Sequence, residues 1–561
     1  MTAIFYHPDA YSTTTPKLMG RNVAGDSFLR GFLQHASPAS SLFAQVASEV
    51  HGREFKKLFN QSGRSENLRI FSNQNLNSAI DAQLVYHPDP EIGVHAYRRS
   101  LYANNSWSLC GITHTTSSAA AMDAISEWIT APVQPWDAVI CTSTAVKNNV
   151  ETILQAQVDL LEMRLGIQKV CLPQLPVIPL GVHTDDFHYS EAARASSRQQ
   201  LGVNDDTLVV LYVGRLSFHG KAHPLAMYQA LENAAKATGH KAITLIECGW
   251  HANEQIGIAF TQGANSVSPS VSVIHLDGRI EGNRKVAWSS ADIFCSLSDN
   301  IQETFGIVPI EAMSAGLPLV VSDWDGYKDT VRDGTDGFRI PTLTPPPGLA
   351  GDLAHRHALQ IDTYDMYIGH TSALVAIDAN KLTRSFIELF KSPELRRRMG
   401  EAGRLNAIQN YDWRHIIRRY EELWDEQSNI RTADRNLLEG KNTQSKRNMR
   451  PIWPARLDPT IAFANYGTLH LAPNTKLTLS EQTAGHALEK LAEYKGLAMV
   501  NFAEYMFPTD AEIKSVFEIA ERNLPQSSSA EDLLHGASEL RRPFVFRGLV
   551  WLCKLGLLQL A

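Results

Sequence analysis

Two successive series of short apolar runs, each run leading into a helix-like stretch, restrict this chain more than any other feature. The first series holds AIFYH (3–7), SLFAQVAS (41–48), NLRIFS (67–72), AQLVYH (82–87), SLCGITHT (108–115) and DAVICTS (137–143). The second holds TLVVLYV (207–213), AITLIECG (242–249), VSVIHLDG (271–278), ADIFCSLS (291–298), LPLVVSD (317–323) and GFRIP (337–341). Strands that alternate with helices pair in parallel, with the crossovers wound on both faces of the sheet. Two such sheets in tandem predict an α/β molecule of two lobes facing a cleft, joined by PVIPLGVHTDDF (176–187). At 561 residues the chain exceeds what a single core organises, so further domains are expected.

Beyond the second series lies a Pro-rich insertion, PTLTPPPGLAGDLAHRHALQ (341–360), then a charged helical region that includes YDW (411–413). The expected domains are a first lobe over 1–195, a second over 196–385, returning helices over 386–427, a polar and basic linker over 428–452 and a small, mostly helical domain over 453–561. In the last, SEQTAGHALEKLAEY, DAEIKSVFEIAER, SAEDLLHGASEL and RGLVWLCKLGLLQL read as helices. A net charge of −7 argues against a nucleic-acid partner held by bulk charge. The six cysteines lack CxxC spacing and mostly lie in apolar runs, which predicts reduced thiols without disulfides or zinc, as in a cytosolic protein. No signal-peptide pattern opens the sequence, and no apolar run reaches the length of a membrane span. The expectation is a soluble, cytoplasmic chain. GREFKKLF (52–59) admits a basic face for peripheral membrane contact, though a solvated helix face explains it as well.

The run QETFGIVPIEAMSAGLPLVVSDWDGYKD (302–329) carries Glu303 and Glu311, with seven residues between them. Pro309 suits a first helical turn, and Gly316 and Pro318 stop the helix. Backbone N–H groups of Phe305, Gly306, Ile307 and Val308 at the start of that helix suit a phosphate. Two carboxylates flanking such a site suit the hydroxyls of sugars; the alternative is an ordinary α/β unit with solvent-facing glutamates. A second cluster, VGRLSFHGKAHP (213–224), follows an apolar strand. It fails as a P-loop, because its glycines are one residue too far apart and Ala222 stands where a Ser or Thr is needed. Arg215 and Lys221 remain as two cations at a strand end, able to grip a diphosphate. SDWD (322–325) holds an Asp-x-Asp tripeptide, which is frequent by chance, and no metal is assigned to it.

A strand ending in GRL with a lysine shortly after, and the Phe-Gly segment with its two glutamates followed by AMSAGLPLVVSD, resemble glycosyltransferase family 4. IPLGVHTDDF resembles that family's interlobe segment, departing at Leu180 and His183, and YDW resembles the motif opening its last helix. The resemblance covers about residues 1–427 and is specific over 207–340. It implies the GT-B fold of two Rossmann-like lobes, acceptor side first and nucleotide-sugar side second. It further implies retaining, metal-independent transfer from a nucleotide sugar such as a UDP-, GDP- or ADP-sugar to a glycan or lipid-linked acceptor, with no cofactor. Bacterial surface polysaccharide synthesis, at or near the inner face of the membrane, is the expected setting. By resemblance Arg215 and Lys221 neutralise the leaving diphosphate, Glu303 holds the donor sugar and Glu311 the ribose. His114 contacts the sugar near its anomeric carbon, and Phe305, Gly306 and Ile307 line sugar and phosphate through their amides. Gly25, in an expected Gly-rich loop, opens an approach for phosphate or acceptor, and Arg279 lies where the base is held. The family's Gly-Gly-x-x-Glu is here DGYKD, with Asp325 and Asp329 departing, which leaves donor choice open. A GT-B sugar-nucleotide epimerase and a non-catalytic nucleotide- or glycan-binding protein stay open as alternatives. The terminal domain reads as an interaction, oligomerisation or acceptor-positioning unit, or as a structural appendage.

Overall fold

A computed structural model describes residues 1–13, 20–439 and 453–561. The chain divides into two compact units, Met1–Pro454 and Ala455–Ala561. The first unit contains two parallel six-stranded sheets. In chain order the first has β1 (Ala3–Tyr6), β2 (Ser41–Val46), β3 (Asn67–Phe71), β4 (Leu84–Tyr86), β5 (Ser108–Ile112) and β6 (Ala138–Ile140), arranged β3-β2-β1-β4-β5-β6. The second has β7 (Leu208–Val213), β8 (Ile243–Gly249), β9 (Ser272–Asp277), β10 (Ile293–Ser296), β11 (Leu319–Ser322) and β12 (Gly337–Ile340), arranged β12-β11-β10-β7-β8-β9. Both sheets therefore have the Rossmann strand order, with the winding direction reversing between β1 and β4 and again between β7 and β10. This is the GT-B arrangement of two Rossmann-like lobes.

The apolar runs explain the burial. Every residue of β7 and β8 is buried, as strands covered by helices on both faces must be, whereas the edge strands β3 and β9 are largely open. GREFKKLF (52–59), for which a solvated helix face was the main expectation and a membrane-facing one the alternative, lies in the helix Glu49–Gln61, capped by Ser48. It turns Phe55 and Phe59 into the first lobe's core and its charges outward.

A long helix, Trp413–Glu439, packs on the helix Gly20–His35 and on β5 of the first lobe. Trp413, Ile416, Ile417 and Tyr420 are fully buried along it. The expected linker from 428 is thus corrected up to Glu439. Polar side chains rather than apolar ones anchor this stretch: Arg431 donates to Ser106 O (2.9 Å) and Gln83 Oε1 (2.8 Å), Arg435 donates to Asn105 O (3.0 Å), and just before it Gln427 Nε2 donates to the carbonyls of Leu109 (2.8 Å) and Trp136 (2.9 Å). The remaining linker residues, 440–452, lie outside the described residues.

Gly25 also departs from expectation. It lies inside the helix Gly20–His35, where a Cβ would stand 2.0 Å from the carbonyl oxygen of Ala10, so it permits two helices to touch. Residues 14–19, just before that helix, are outside the described residues. The Pro-rich insertion is held at its base by β13 (Thr342–Leu343) pairing antiparallel with β14 (Ala376–Ile377), and it carries the helices Gly351–Ala358 and Tyr364–Ser372.

The second unit is mostly helical, with Ala484–Lys495, Asp510–Arg522 and Arg542–Lys554 enclosing its own core. A small antiparallel sheet accompanies them, β15 (Lys476–Leu479) between β16 (Ser528–Ser529) and β17 (Leu558–Leu560). SAEDLLHGASEL, expected as a helix, starts on the last residue of β16 and is helical only over the short 3-10 helix Asp532–Leu534, where Ser529 and Asp532 bond to each other's backbone and side chain. All six cysteines are free thiols, four of them buried. Among the described residues no helix is long and apolar enough to cross a membrane.

Candidate active site at the lobe cleft

In an open parallel sheet the ligand crevice lies outside the carboxyl ends of the strands where winding reverses. In the second lobe those strands are β7 and β10, and the loops after them carry the two clusters singled out in the sequence. Lys221 Nζ forms an ion pair with Glu303 Oε2 across this crevice, the two side chains being 24% and 10% exposed. Arg215 Nη2 donates to Gly220 O (2.7 Å) and to Gln302 Oε1 (2.6 Å). The two cations and Glu303, 82 residues from Lys221 in sequence, are thus one assembly. Burial works against the charged form of Glu303. The Lys221 ammonium and the N–H groups of Thr304 and Phe305 outweigh it and hold the carboxyl below its usual range.

Gly306 follows with φ +82°, and a Cβ there would meet the Tyr327 ring at 1.9 Å, so glycine is required. It opens the helix Ile307–Ser314, which has no side-chain cap. The first-turn N–H groups of a helix lack intrahelical partners and attract anions. Phe305 is placed differently from the expectation that its amide faces a ligand: its N–H serves Glu303 and its ring is in the core. Glu311, half-buried one turn into the helix, has its carboxyl pushed up to about 7 by burial, against a smaller opposing pull from Arg284.

Arg284, which sequence reasoning passed over, is therefore the cation facing Glu311. It is fixed by donation to Gly278 O at 2.7 Å. Arg279 is instead exposed and forks onto Asp277 within its own turn, at 3.0 and 2.7 Å. It lines an open groove with Trp250, His251 and Leu276 beside the ends of β8 and β9, and is not brought to Glu303 or Glu311 by any bond.

The first lobe meets this assembly through its own strand ends. Thr304 Oγ1 donates to His114 O (3.1 Å), and Thr142 Oγ1 donates to Thr304 O (3.1 Å). His114 is half-buried; burial and, to a smaller extent, Arg21 push its imidazole down to about 4, so the ring is neutral at pH 7. Asp325 and Asp329, the departures from the family pattern, also bind the first lobe. Asp325, at φ +41°, accepts from Ser143 Oγ (3.0 Å), and Asp329 accepts from the N–H of Thr144 (2.6 Å). Burial and then the nearby Glu303 push the Asp325 carboxyl up to about 7. The SDWD carboxylates are thus engaged by Ser143 and, at 3.5 Å, by Arg339.

The phrase YHPD occurs twice, at 6–9 and 86–89. Its copies begin on the last residues of β1 and β4, the two strands flanking the first lobe's own reversal. His87 is buried there against His95, ring centroids 3.8 Å apart.

Residues 193–345 match the family model described as glycosyl transferases group 1. A phosphatidyl-myo-inositol mannosyltransferase of Mycobacterium leprae is 30% identical over 158 residues, 27% of this chain and 32% of that protein. A D-inositol 3-phosphate glycosyltransferase of Geodermatophilus obscurus is 29% identical over 178 residues, 30% of this chain and 37% of that protein. The chain thus spans about a third of the length of these curated relatives. The crystal structure of Anabaena HepE with UDP and glucose superposes with a TM-score of 0.49 at 16% identity, covering 76% of this chain and 100% of that one. Arg215, Lys221, Glu303 and Glu311 all lie within residues 193–345, the stretch that matches the glycosyl transferases group 1 model.

Proposed function

We propose that the chain is a retaining glycosyltransferase that moves a hexosyl group from a nucleotide sugar to a hydroxyl of a glycan or glycolipid acceptor. The observation that carries this is the Lys221–Glu303 pair beside Arg215 at the β7/β10 reversal, within the segment that matches glycosyl transferases group 1. Breaking a sugar–phosphate bond leaves negative charge on the diphosphate and positive charge on the sugar carbon. Arg215, Lys221 and the open N-terminus of the Ile307–Ser314 helix answer the first, preorganised in a partly dry cleft where such charges act strongly. They supply the positive charge that a metal ion gives in other transferases, and the reaction is proposed to run without metal or cofactor. Glu303, ionised, accepts donor-sugar hydroxyls and lies near the developing cation. His114, neutral, offers one donor and one acceptor to the sugar. The acceptor hydroxyl attacks on the face from which the diphosphate leaves, which gives retention.

The setting proposed is bacterial surface polysaccharide or glycolipid synthesis on the cytoplasmic side, with peripheral membrane contact. The relatives named for transfer to inositol-containing molecules support a polyhydroxylated acceptor. Residues 453–561 would serve as an accessory domain.

A thermal-shift screen over UDP-, GDP- and ADP-sugars tests donor binding, since a ligand at about 100 times its Kd adds about 2.7 kcal/mol to the folded state. One nucleotide class is expected to raise Tm clearly; no rise with any class at millimolar concentration contradicts the proposal. The pH dependence of binding follows from Glu311, whose carboxyl titrates at about 7 in the free protein. Its ionised fraction grows about tenfold between pH 6 and 8, and only the ionised form accepts well from both ribose hydroxyls. Nucleotide affinity is therefore expected to rise through this range, and Glu311→Gln to flatten the slope. In the unliganded protein the sign is opposite. A carboxyl raised from its ordinary value contributes stability at low pH and loses it as pH climbs through about 7.

A further inference from the structure

The insertion between β12 and the helix Ala379–Lys391 runs past the end of the family-matched segment and lies against both site loops. Asn300 Nδ2 donates to His219 O (2.8 Å) and to Ile368 O (3.3 Å), joining the β10 loop, the β7 loop and the Tyr364–Ser372 helix at one side chain. A Cβ on Gly369 would stand 3.0 Å from the Cβ of His219, so the helix backbone rests on the loop that carries Lys221. Tyr364, the first residue of this helix, then reaches both lobes. Its Oη lies 2.8 Å from Ser117 Oγ of the first lobe and 3.1 Å from Gln302 Nε2 of the second. Gln302 passes the contact on, because its Oε1 accepts from Arg215 Nη2 at 2.6 Å.

The donor inventory fixes the direction from Arg215 to the phenol. A guanidinium only donates, so Gln302 must present its oxygen to Arg215 and its N–H to Tyr364. The phenol then accepts from Gln302 and shares one further hydrogen bond with Ser117 Oγ, in which either oxygen can donate. If Ser117 withdraws with the first lobe, the phenol loses that partner, and the amide that holds Arg215 loses a fixed one. Phenylalanine at 364 would keep the ring and delete both bonds.

We propose that Tyr364 is a positioning residue that makes the orientation of Arg215 depend on the first lobe being seated on the second, through Ser117 and Gln302. The insertion is then a cross-lobe latch over the diphosphate side of the cleft. Its catalytic consequence rests on the glycosyl-transfer reading above; its conformational consequence does not.

The test uses the full chain with Tyr364→Phe, Ser117→Ala and the double substitution. In unliganded protein, hydrogen–deuterium exchange should quicken in peptides spanning 115–118 and 300–303 for both single variants, and no further in the double, because both break one chain of bonds. In transfer assays with the donor found by screening, each single variant should lower kcat about tenfold with donor KM changed by less than about twofold, again without additivity. Unchanged exchange in Tyr364→Phe overturns the latch. Altered exchange with unchanged kcat, or losses that add in the double, overturns the positioning role. If exchange responds as stated while the wild type neither binds nor turns over any nucleotide sugar, the latch stands and the glycosyl-transfer reading alone falls.

Discussion

Lys221→Ala is expected to lower kcat/KM by two orders of magnitude or more, equivalent to about 3 kcal/mol of transition-state stabilisation. The ammonium is paired with the Glu303 carboxylate on the loops that follow β7 and β10. Its removal acts twice. The leaving diphosphate loses a preorganised charge, and the Glu303 side chain, 10% exposed, loses the partner that keeps it ionised. A carboxylate stranded in this way destabilises the fold, here by about 2 kcal/mol given that some solvent reaches the pair. The two effects separate experimentally. Adding Glu303→Gln to Lys221→Ala should restore Tm, because no unpaired charge remains, while leaving transfer as slow or slower. Full turnover by both Lys221→Ala and Glu303→Ala with the true donor and acceptor would show that this cluster is not the reacting centre.

Trp413→Ala is expected to give the largest loss of stability, about 3–5 kcal/mol, read by calorimetry or denaturant melts. The indole is fully buried where the last helix returns to the first lobe. Two glycines make room for it: a Cβ on Gly31 would approach the ring to 2.6 Å, and one on Gly181 to 2.4 Å. Its Nε1 donates to Ser27 Oγ at 2.7 Å, and Phe28 packs edge-on at 5.8 Å. Backbone bonds on either side, Val182 N to Tyr411 O (2.8 Å) and Trp413 N to Val182 O (3.3 Å), tie the interlobe segment to the same point. Removal of the indole therefore leaves a cavity and loosens the junction between lobes together. Gly31→Ala and Gly181→Ala should weaken the protein from the opposite direction, by overpacking. A Trp413→Ala protein that melts with the wild type would contradict this account of the junction.

The strand runs, the two loops with their cations and glutamates, and the interlobe segment were legible because each depends on local pattern: apolar periodicity, a proline in a first turn, a glycine where φ is positive. What sequence could not show is pairing at a distance. Lys221 and Glu303 are each suggestive alone, and only the reversal of winding between β7 and β10 makes them partners. Ser117 and Tyr364 are 247 residues apart, and nothing local marks either. The errors have the same origin. Gly25 looked like a loop glycine because its need for close contact with Ala10 is tertiary. The stretch after 427 looked like a linker because it lacks apolar anchors, yet Arg431 and Arg435 find backbone carbonyls inside the first lobe. Arg279 drew attention because the resemblance sets it where the base is held, while Arg284, five residues on, is the one that faces Glu311.

The most direct test of the central claim is proton NMR of the full-length protein with the nucleotide sugar that stabilises it and a set of polyol and glycolipid acceptors. The expected result is acceptor-dependent release of nucleoside diphosphate, with a new anomeric signal of the same configuration as the donor, and loss of both in Lys221→Ala. Conversion of the nucleotide sugar to its epimer without acceptor, an inverted anomer, or tight donor binding with no turnover across the acceptor set would contradict it.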